Sequence, residues 1–146
     1  MRKIIAVIGF SVVVASAGLA MAASDLGKQR EADMKAIGGA IKTSAGFATG
    51  KVPFDAAAAK AAMETVAAKA TDFPTLFPAG SENADKGASP KIWENKADFE
   101  AHAAKLATDA KAAAAAADQG ADAFKTAFAA VGANCKSCHQ LYRLSD

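Results

Sequence analysis

Apolar residues recur along this chain at spacings of three and four, which places them on one face of an α-helix. Four such stretches run from about Asp25 to Thr49, Phe54 to Ala70, Pro90 to Ala117 and Ala121 to Arg143. No stretch shows the strict alternation of apolar and polar residues that is typical of a β-strand. The pattern therefore predicts an all-α protein, an antiparallel four-helix bundle with one longer central loop from about Phe73 to Ala88.

The helix faces that the pattern predicts to point inward carry different residue types in the different helices. They are Leu26, Arg30, Met34, Ile37 and Ile41 in the first helix; Ala59, Met63, Val66 and Ala70 in the second; and Phe124, Phe128, Val131, Cys135, Cys138 and Tyr142 in the last. Gly38 and Gly39 weaken the first helix, and we expect them to let another helix or a flat cofactor approach closely. Ser89, followed by Pro90, is expected to cap the third helix.

The first residues have the pattern of a secretory signal peptide. A positive start is followed by an uncharged, apolar run from Ile4 to Leu19, and Ala20-Met21-Ala22 then fits a small-x-small cleavage site. We expect cleavage after Ala22, with Ala17 or Ala23 as the next choices. A membrane anchor is the alternative, but the run is short for a span of roughly 20 residues and no cationic stop follows it.

Cleavage would divide the chain into a signal peptide, residues 1–22, and one domain, residues 23–146. The 17 basic residues would lose Arg2 and Lys3, which leaves 15 against 15 acidic residues. This balance gives no reason to expect nucleic acid as a partner, and no membrane contact is expected after cleavage. The domain is rich in alanine, which favours helices but buries little area, so a large apolar cofactor is expected to help fill its core.

The chemistry of the chain is concentrated near its C-terminus, in Cys135-Lys136-Ser137-Cys138-His139. C-x-x-C-H is the attachment sequence of c-type haem, in which each thiol adds to one vinyl group of the macrocycle. The histidine that follows the second cysteine then ligates the iron. The motif predicts one covalently bound haem c, held by Cys135 and Cys138, with His139 as a ligand of its iron.

The two cysteines have three other possible uses. A disulfide is common in an exported protein. A zinc site needs four ligands, and the only other histidine is His102. A thioredoxin-like redox pair belongs in a βαβ unit, which the pattern lacks.

The chain resembles the class II cytochromes c, the cytochrome c prime family, over nearly all of the domain. The segments that carry the resemblance are Arg30 with Met34, Gly50 to Asp55, Leu76-Phe77-Pro78, Ser89 to Trp93, and the haem motif followed by Tyr142-Arg143. A haem motif that ends the last helix fits this family. The loop and the Trp93 segment look most like its low-spin branch, in which a methionine of the first helix ligates the iron.

The resemblance implies roles for three residues of the first helix. Met34 would be the second axial ligand of the iron, although a methionine on a helical stripe is more often only core packing. Arg30, one turn earlier, would pair with a haem propionate; otherwise it is a solvated cation. Glu31 would also lie beside the haem.

The remaining aromatic and charged residues are expected to have mainly structural roles. Phe124 and Phe128 are expected in the core or in the wall of the haem site, and Trp93 is expected to pack near the haem edge. His102 is expected at the surface. Arg143 could influence the His139 ligand.

Two functions follow from the haem reading. The first is a periplasmic, low-spin, monohaem electron carrier with His139 and Met34 as ligands, which is not an enzyme and exchanges electrons with periplasmic redox partners. The second is a high-spin, five-coordinate cytochrome c prime that binds small gases such as NO or CO. A third reading, without haem, is an alanine-rich helical adaptor with one disulfide. The sequence leaves open whether the protein is a monomer or a homodimer.

Overall fold

The computed structural model describes the backbone of residues 15–144 and the side chains of residues 25–144. Its helices are α1 (Ala15–Ala48), α2 (Ala56–Asp72), α3 (Lys91–Glu94), α4 (Lys96–Ala117) and α5 (Ala121–Tyr142), and a 3-10 turn covers Phe73–Leu76. The all-α prediction is confirmed. Most of the predicted signal peptide, residues 1–14, lies outside the described residues. Among those that are described, no helix is both long and apolar enough to cross a membrane.

The four rods of the bundle are α1, α2, the α3–α4 unit and α5. Helix α2 packs against both α1 and α4, and α5 packs against α4 and α1. The predicted inner face of α2 is buried at all four positions. The face of α5 is fully buried at Phe124, Val131 and Tyr142, and only half-buried at Phe128, Cys135 and Cys138.

Two helix boundaries differ from the prediction. Helix α1 already covers the described residues before the predicted start at Asp25, from Ala15 onward, and this stretch is rich in alanine, the strongest helix former. The predicted third helix is interrupted at Asn95, whose φ of −127° and ψ of 51° leave the helical region. Asparagine is a poor helix former, and beyond this break the Lys96 ammonium donates to the carbonyls of Pro74 and Phe77.

The interior contains two hydrophobic clusters. The larger one joins α1, α2, α4 and α5 around Met63, Val66 and Phe124. Helices α2 and α4 pack against each other, and many of their buried side chains are alanines, a set that we call the alanine seam. Its buried members are Ala59, Ala67, Ala70, Ala103, Ala107, Ala110, Ala113, Ala114 and Ala117. The smaller cluster is aromatic and joins the central loop, α3, α4 and the end of α5 around Phe77, Phe99 and Tyr142.

The close approach expected at Gly38 and Gly39 is not found between protein segments, because a Cβ at either position would meet no atom within 4 Å. The close approach occurs instead at Gly27. A Cβ there would lie 2.1 Å from the carbonyl oxygen of Ala84, so only glycine lets the central loop rest on α1 at this point.

Candidate functional site

The haem motif occupies the last turns of α5. Cys135 and Cys138 are one helical turn apart, half-buried, and not joined in a disulfide. Cys138 packs against the aromatic cluster, whereas the side chain of His139 is exposed. Two thiols and an imidazole are thus presented along one end of the helix, next to apolar surface.

A buried asparagine anchors α5 directly before the motif. Asn134 is only 5% exposed, and its amide donates a hydrogen bond to the carboxylate of Asp109 on α4. Lys105 donates to the same carboxylate at 2.8 Å. The hydrogen bond from Lys105, followed by that from Asn134, lowers the pKa of Asp109, so the acceptor is a carboxylate at neutral pH. Asn134 was not identified from the sequence. It could have been found as a polar residue one helical turn after Val131, at a position that faces the core.

The surroundings of the cysteines favour the protonated thiol. Burial raises the pKa of Cys135, and burial together with the nearby Cys135 and Asp98 raises the pKa of Cys138 to about 11. Reactive or metal-binding cysteines usually need a lowered pKa. Among residues 15–144, no group of three or more His, Cys, Asp and Glu side chains could hold a metal ion. The zinc and redox-pair readings therefore gain no support.

His139 is held as a neutral imidazole at neutral pH. Its side chain is exposed by area, yet neighbouring atoms still crowd the ring, and this partial desolvation lowers its pKa. The positive charge of Arg143 lowers it further, and an influence of Arg143 on His139 as an iron ligand stays a prediction. Neutral imidazole is the form that ligates iron.

Tyr142, one turn after His139, ties the end of α5 to α4. Its hydroxyl donates to the carboxylate of Asp98. Its ring meets Phe99 edge-on at a centroid distance of 5.3 Å, and His102 at 5.9 Å. His102 is therefore half-buried against this ring and is not the freely exposed residue that was expected.

We expect the free energy of unfolding to fall less steeply at alkaline pH in Tyr142→Phe than in the wild type. Burial and the hydrogen bond to Asp98 raise the pKa of Tyr142 to about 12, from an ordinary value of 10.0. The unfolded chain therefore loses this proton first, so the stabilising contribution is complete below about pH 10 and is lost between about pH 10 and 12. Urea unfolding at a series of pH values measures the slope. Identical slopes in the two proteins would contradict the assignment, and absorbance titration of this single tyrosine is an independent check.

The residues predicted on the other side of the haem lie on α1. Met34 is half-buried and packs against the larger cluster. Its neighbour Asp33 is buried and pairs with Lys69 of α2 at 2.8 Å, which fixes this turn of α1 to the bundle. Glu31 is exposed and pairs with Lys35 at 2.7 Å, and its assignment beside the haem stays a prediction.

Arg30 is 4% exposed, and its guanidinium is held by the central loop. It donates to the carbonyls of Leu76 and Ser81, to the Ser81 hydroxyl at 2.7 Å, and to the Asp85 carboxylate at 2.7 Å. Its cationic plane lies 4.0 Å from the centre of the Phe77 ring. Within the described part of the chain, these contacts use the Nε hydrogen, both Nη2 hydrogens and one Nη1 hydrogen, which leaves the second Nη1 hydrogen for an anion such as a propionate.

The residues present fit a haem c. The two thiols are protonated and one helical turn apart, and the imidazole that follows them is neutral. On the inner faces of α1 and α5, some apolar side chains are only half-buried, whereas the other positions are buried. Trp93 packs on Phe77 with ring centroids 5.7 Å apart and donates to the Pro78 carbonyl. Its expected place near the haem edge stays a prediction.

Comparisons with known proteins agree with this chemistry. The family described as "Cytochrome C'" matches residues 25–143. A cytochrome c-556 of Agrobacterium fabrum is 48% identical over 128 residues, which are 88% of this chain and 86% of that protein. The solved cytochrome c' from Rhodopseudomonas palustris is 37% identical, with a TM-score of 0.78 over 84% of this chain and 98% of that one. A nitric oxide complex of a mutant cytochrome c prime from Alcaligenes xylosoxidans is 29% identical, with a TM-score of 0.78 over 85% of this chain and 97% of that one.

Proposed function

The chain belongs to the cytochrome c prime family, whose members carry haem c, and from this premise we propose that it is a periplasmic, low-spin electron carrier. One observation carries the choice of the low-spin form. Met34 lies on the inner face of α1, is incompletely covered by protein, and is flanked by two residues that fix the helix, Arg30 and Asp33. A flexible thioether held in this way is suited to ligate the iron.

Each residue of the site then has a defined task. Cys135 and Cys138 would bond the macrocycle to α5, and His139 would supply a neutral nitrogen to the iron. The haem, when bound, supplies reversible one-electron transfer. Met34 would supply the sulfur of a His/Met pair, the ligation that raises the potential of a c-type haem. Arg30 offers its remaining N–H to a propionate, and the apolar faces of α1 and α5 limit access of water.

A carrier of this kind exchanges single electrons with periplasmic redox proteins and turns over no substrate. The chemistry of the described residues agrees with this role. Attachment of the haem would convert both thiols to thioethers and engage the imidazole, so the motif would offer no nucleophile of its own.

The second candidate is a five-coordinate protein that binds NO or CO. It is favoured by the family, which includes the solved nitric oxide complex of a mutant cytochrome c prime. In this case Met34 would only crowd the open side of the iron and admit small neutral ligands by size.

The optical and magnetic spectra of the purified ferric protein distinguish the two candidates. We expect a low-spin spectrum at neutral pH with the long-wavelength charge-transfer band of a methionine–iron(III) bond. We also expect the reduced protein to bind CO slowly, because the gas must first displace the sulfur. A high-spin spectrum with rapid CO binding would contradict the carrier function and support the gas-binding one.

A further inference from the structure

Asp85 of the central loop is bonded to segments that lead to both predicted iron ligands. One oxygen of its carboxylate accepts from Arg30 on α1, and the other accepts from the backbone that pairs with the end of α5. The side chain is 27% exposed, so much of it lies out of water. A single carboxylate therefore connects the helix of Met34 with the helix of His139.

On the α1 side, the connection is short and tightly packed. Asp85 Oδ2 lies 2.7 Å from Arg30 Nη1, and Arg30 is one helical turn from Met34. The preceding residue, Ala84, rests on α1 at Gly27, where a Cβ would lie 2.1 Å from its carbonyl oxygen. The loop is thus held to the backbone and to a buried cation of α1, directly before Met34.

On the α5 side, the connection runs through backbone hydrogen bonds. Asp85 Oδ1 accepts from the N–H groups of Gly87 at 2.9 Å and Ala88 at 2.8 Å. Ala88 forms an antiparallel bridge with Arg143. The Arg143 N–H in turn donates to the carbonyl of His139 at 3.1 Å.

Two further backbone bonds flank this bridge. The Leu144 N–H donates to the carbonyl of Gly87 at 2.9 Å, and the Ser89 N–H donates to the backbone carbonyl of Tyr142 at 3.0 Å. The residues just after His139 are therefore hydrogen-bonded to residues 87–89, the loop segment whose N–H groups also bind the Asp85 carboxylate. Movement of this segment relative to α1 would move the end of α5 as well.

We propose that Asp85 is a positioning residue that sets the separation between Met34 on α1 and His139 on α5, and thereby decides whether the Met34 sulfur reaches the iron. The proposal rests on the low-spin function proposed above. Removing the Asp85 charge leaves the buried Arg30 guanidinium without its ion-pair partner. Arg30 would keep its bonds to Leu76 and Ser81 but lose its bond to the segment that pairs with α5, so α1 would shift relative to the bridge at Ala88. A shift of this kind weakens the Met34 bond without removing any atom of the ligand.

Asp85→Asn in the holoprotein tests the proposal. Asparagine keeps an oxygen for the Gly87 and Ala88 amides and removes the charge that pairs with Arg30. We expect a weaker methionine–iron(III) band and an affinity for added imidazole, which competes with Met34, that rises by roughly five-fold or more. Asp118→Asn is the matched control, because it removes an exposed carboxylate that pairs with Lys60 at 2.7 Å. The control should leave the band and the imidazole affinity unchanged.

The spectra are recorded well below the unfolding temperature of each variant, so loss of stability alone cannot produce the change. A wild-type protein without the methionine band overturns the low-spin function and this inference with it. A wild-type protein with the band, and an Asp85→Asn variant with the same band and imidazole affinity, overturns only the inference. If Asp85→Asn does not accumulate, Ser81→Ala, which removes the hydroxyl that accepts from Arg30, must shift the imidazole affinity in the same direction.

Discussion

Met34→Ala is expected to convert the ferric protein from low-spin to high-spin. The methyl group of alanine cannot reach the iron, and the half-buried position of Met34 leaves room beside it for a small ligand. CO should then bind the reduced variant roughly 100-fold more tightly than the wild type, which corresponds to about 2.7 kcal/mol for the displaced ligand bond. The reduction potential should fall, because the sulfur ligand no longer favours the reduced iron. CO titration and potentiometry measure the two effects.

Met63→Ala is the matched control for this experiment. It makes the same substitution in a fully buried methionine of α2, which the proposed function does not use. It should lower stability by about 2–5 kcal/mol and leave the ferric spectrum unchanged. A low-spin Met34→Ala protein that still excludes CO would mean that another side chain ligates the iron, and the His139–Met34 assignment would be wrong.

The largest loss of stability from a single core truncation is expected for Phe124→Ala. Phe124 is fully buried and packs between Phe54 and Phe128, with ring centroids 5.6 and 5.7 Å away. Truncation of a buried phenylalanine costs about 3–5 kcal/mol, and the higher helix propensity of alanine returns about 0.5 kcal/mol. The surrounding side chains relax only partly when a buried ring is removed, so a cavity remains. Denaturant unfolding of the holoprotein, followed by circular dichroism, measures the change.

Leu141→Ala on the same helix is the comparison for Phe124→Ala. Leu141 is 42% exposed, so its truncation should cost about 1 kcal/mol or less. Equal losses of stability for the two variants would show that Phe124 contributes no more than a surface residue, so the larger cluster would not be centred on its ring.

The helices and the haem motif could be predicted because their signals are local. The periodic apolar residues identified the inner face of α2 and placed Phe124 and Tyr142 in the core. The C-x-x-C-H spacing identified the cofactor without any knowledge of the fold. Local spacing also placed Arg30 and Met34 on one face of α1, with Arg30 buried.

The partners of these residues could not be predicted, because they are distant in the sequence. Arg30 and Asp85 are 55 residues apart, and nothing in either neighbourhood indicates that they pair. The same holds for Tyr142 and Asp98, which are 44 residues apart. Gly27 reads as an ordinary helix-weakening residue until the loop that rests on it is known, whereas Gly38 and Gly39 look like a contact site and meet no protein atom.

The alanine seam between α2 and α4 affects how stability depends on temperature. Each buried alanine brings little apolar surface out of water, and the heat-capacity change of unfolding grows with the apolar surface that becomes exposed. A bundle held together in this way has a small heat-capacity change for its length, so its free energy of unfolding varies gently on either side of its maximum. The protein part of the molecule would keep a nearly constant margin of stability across the temperatures at which a bacterium grows.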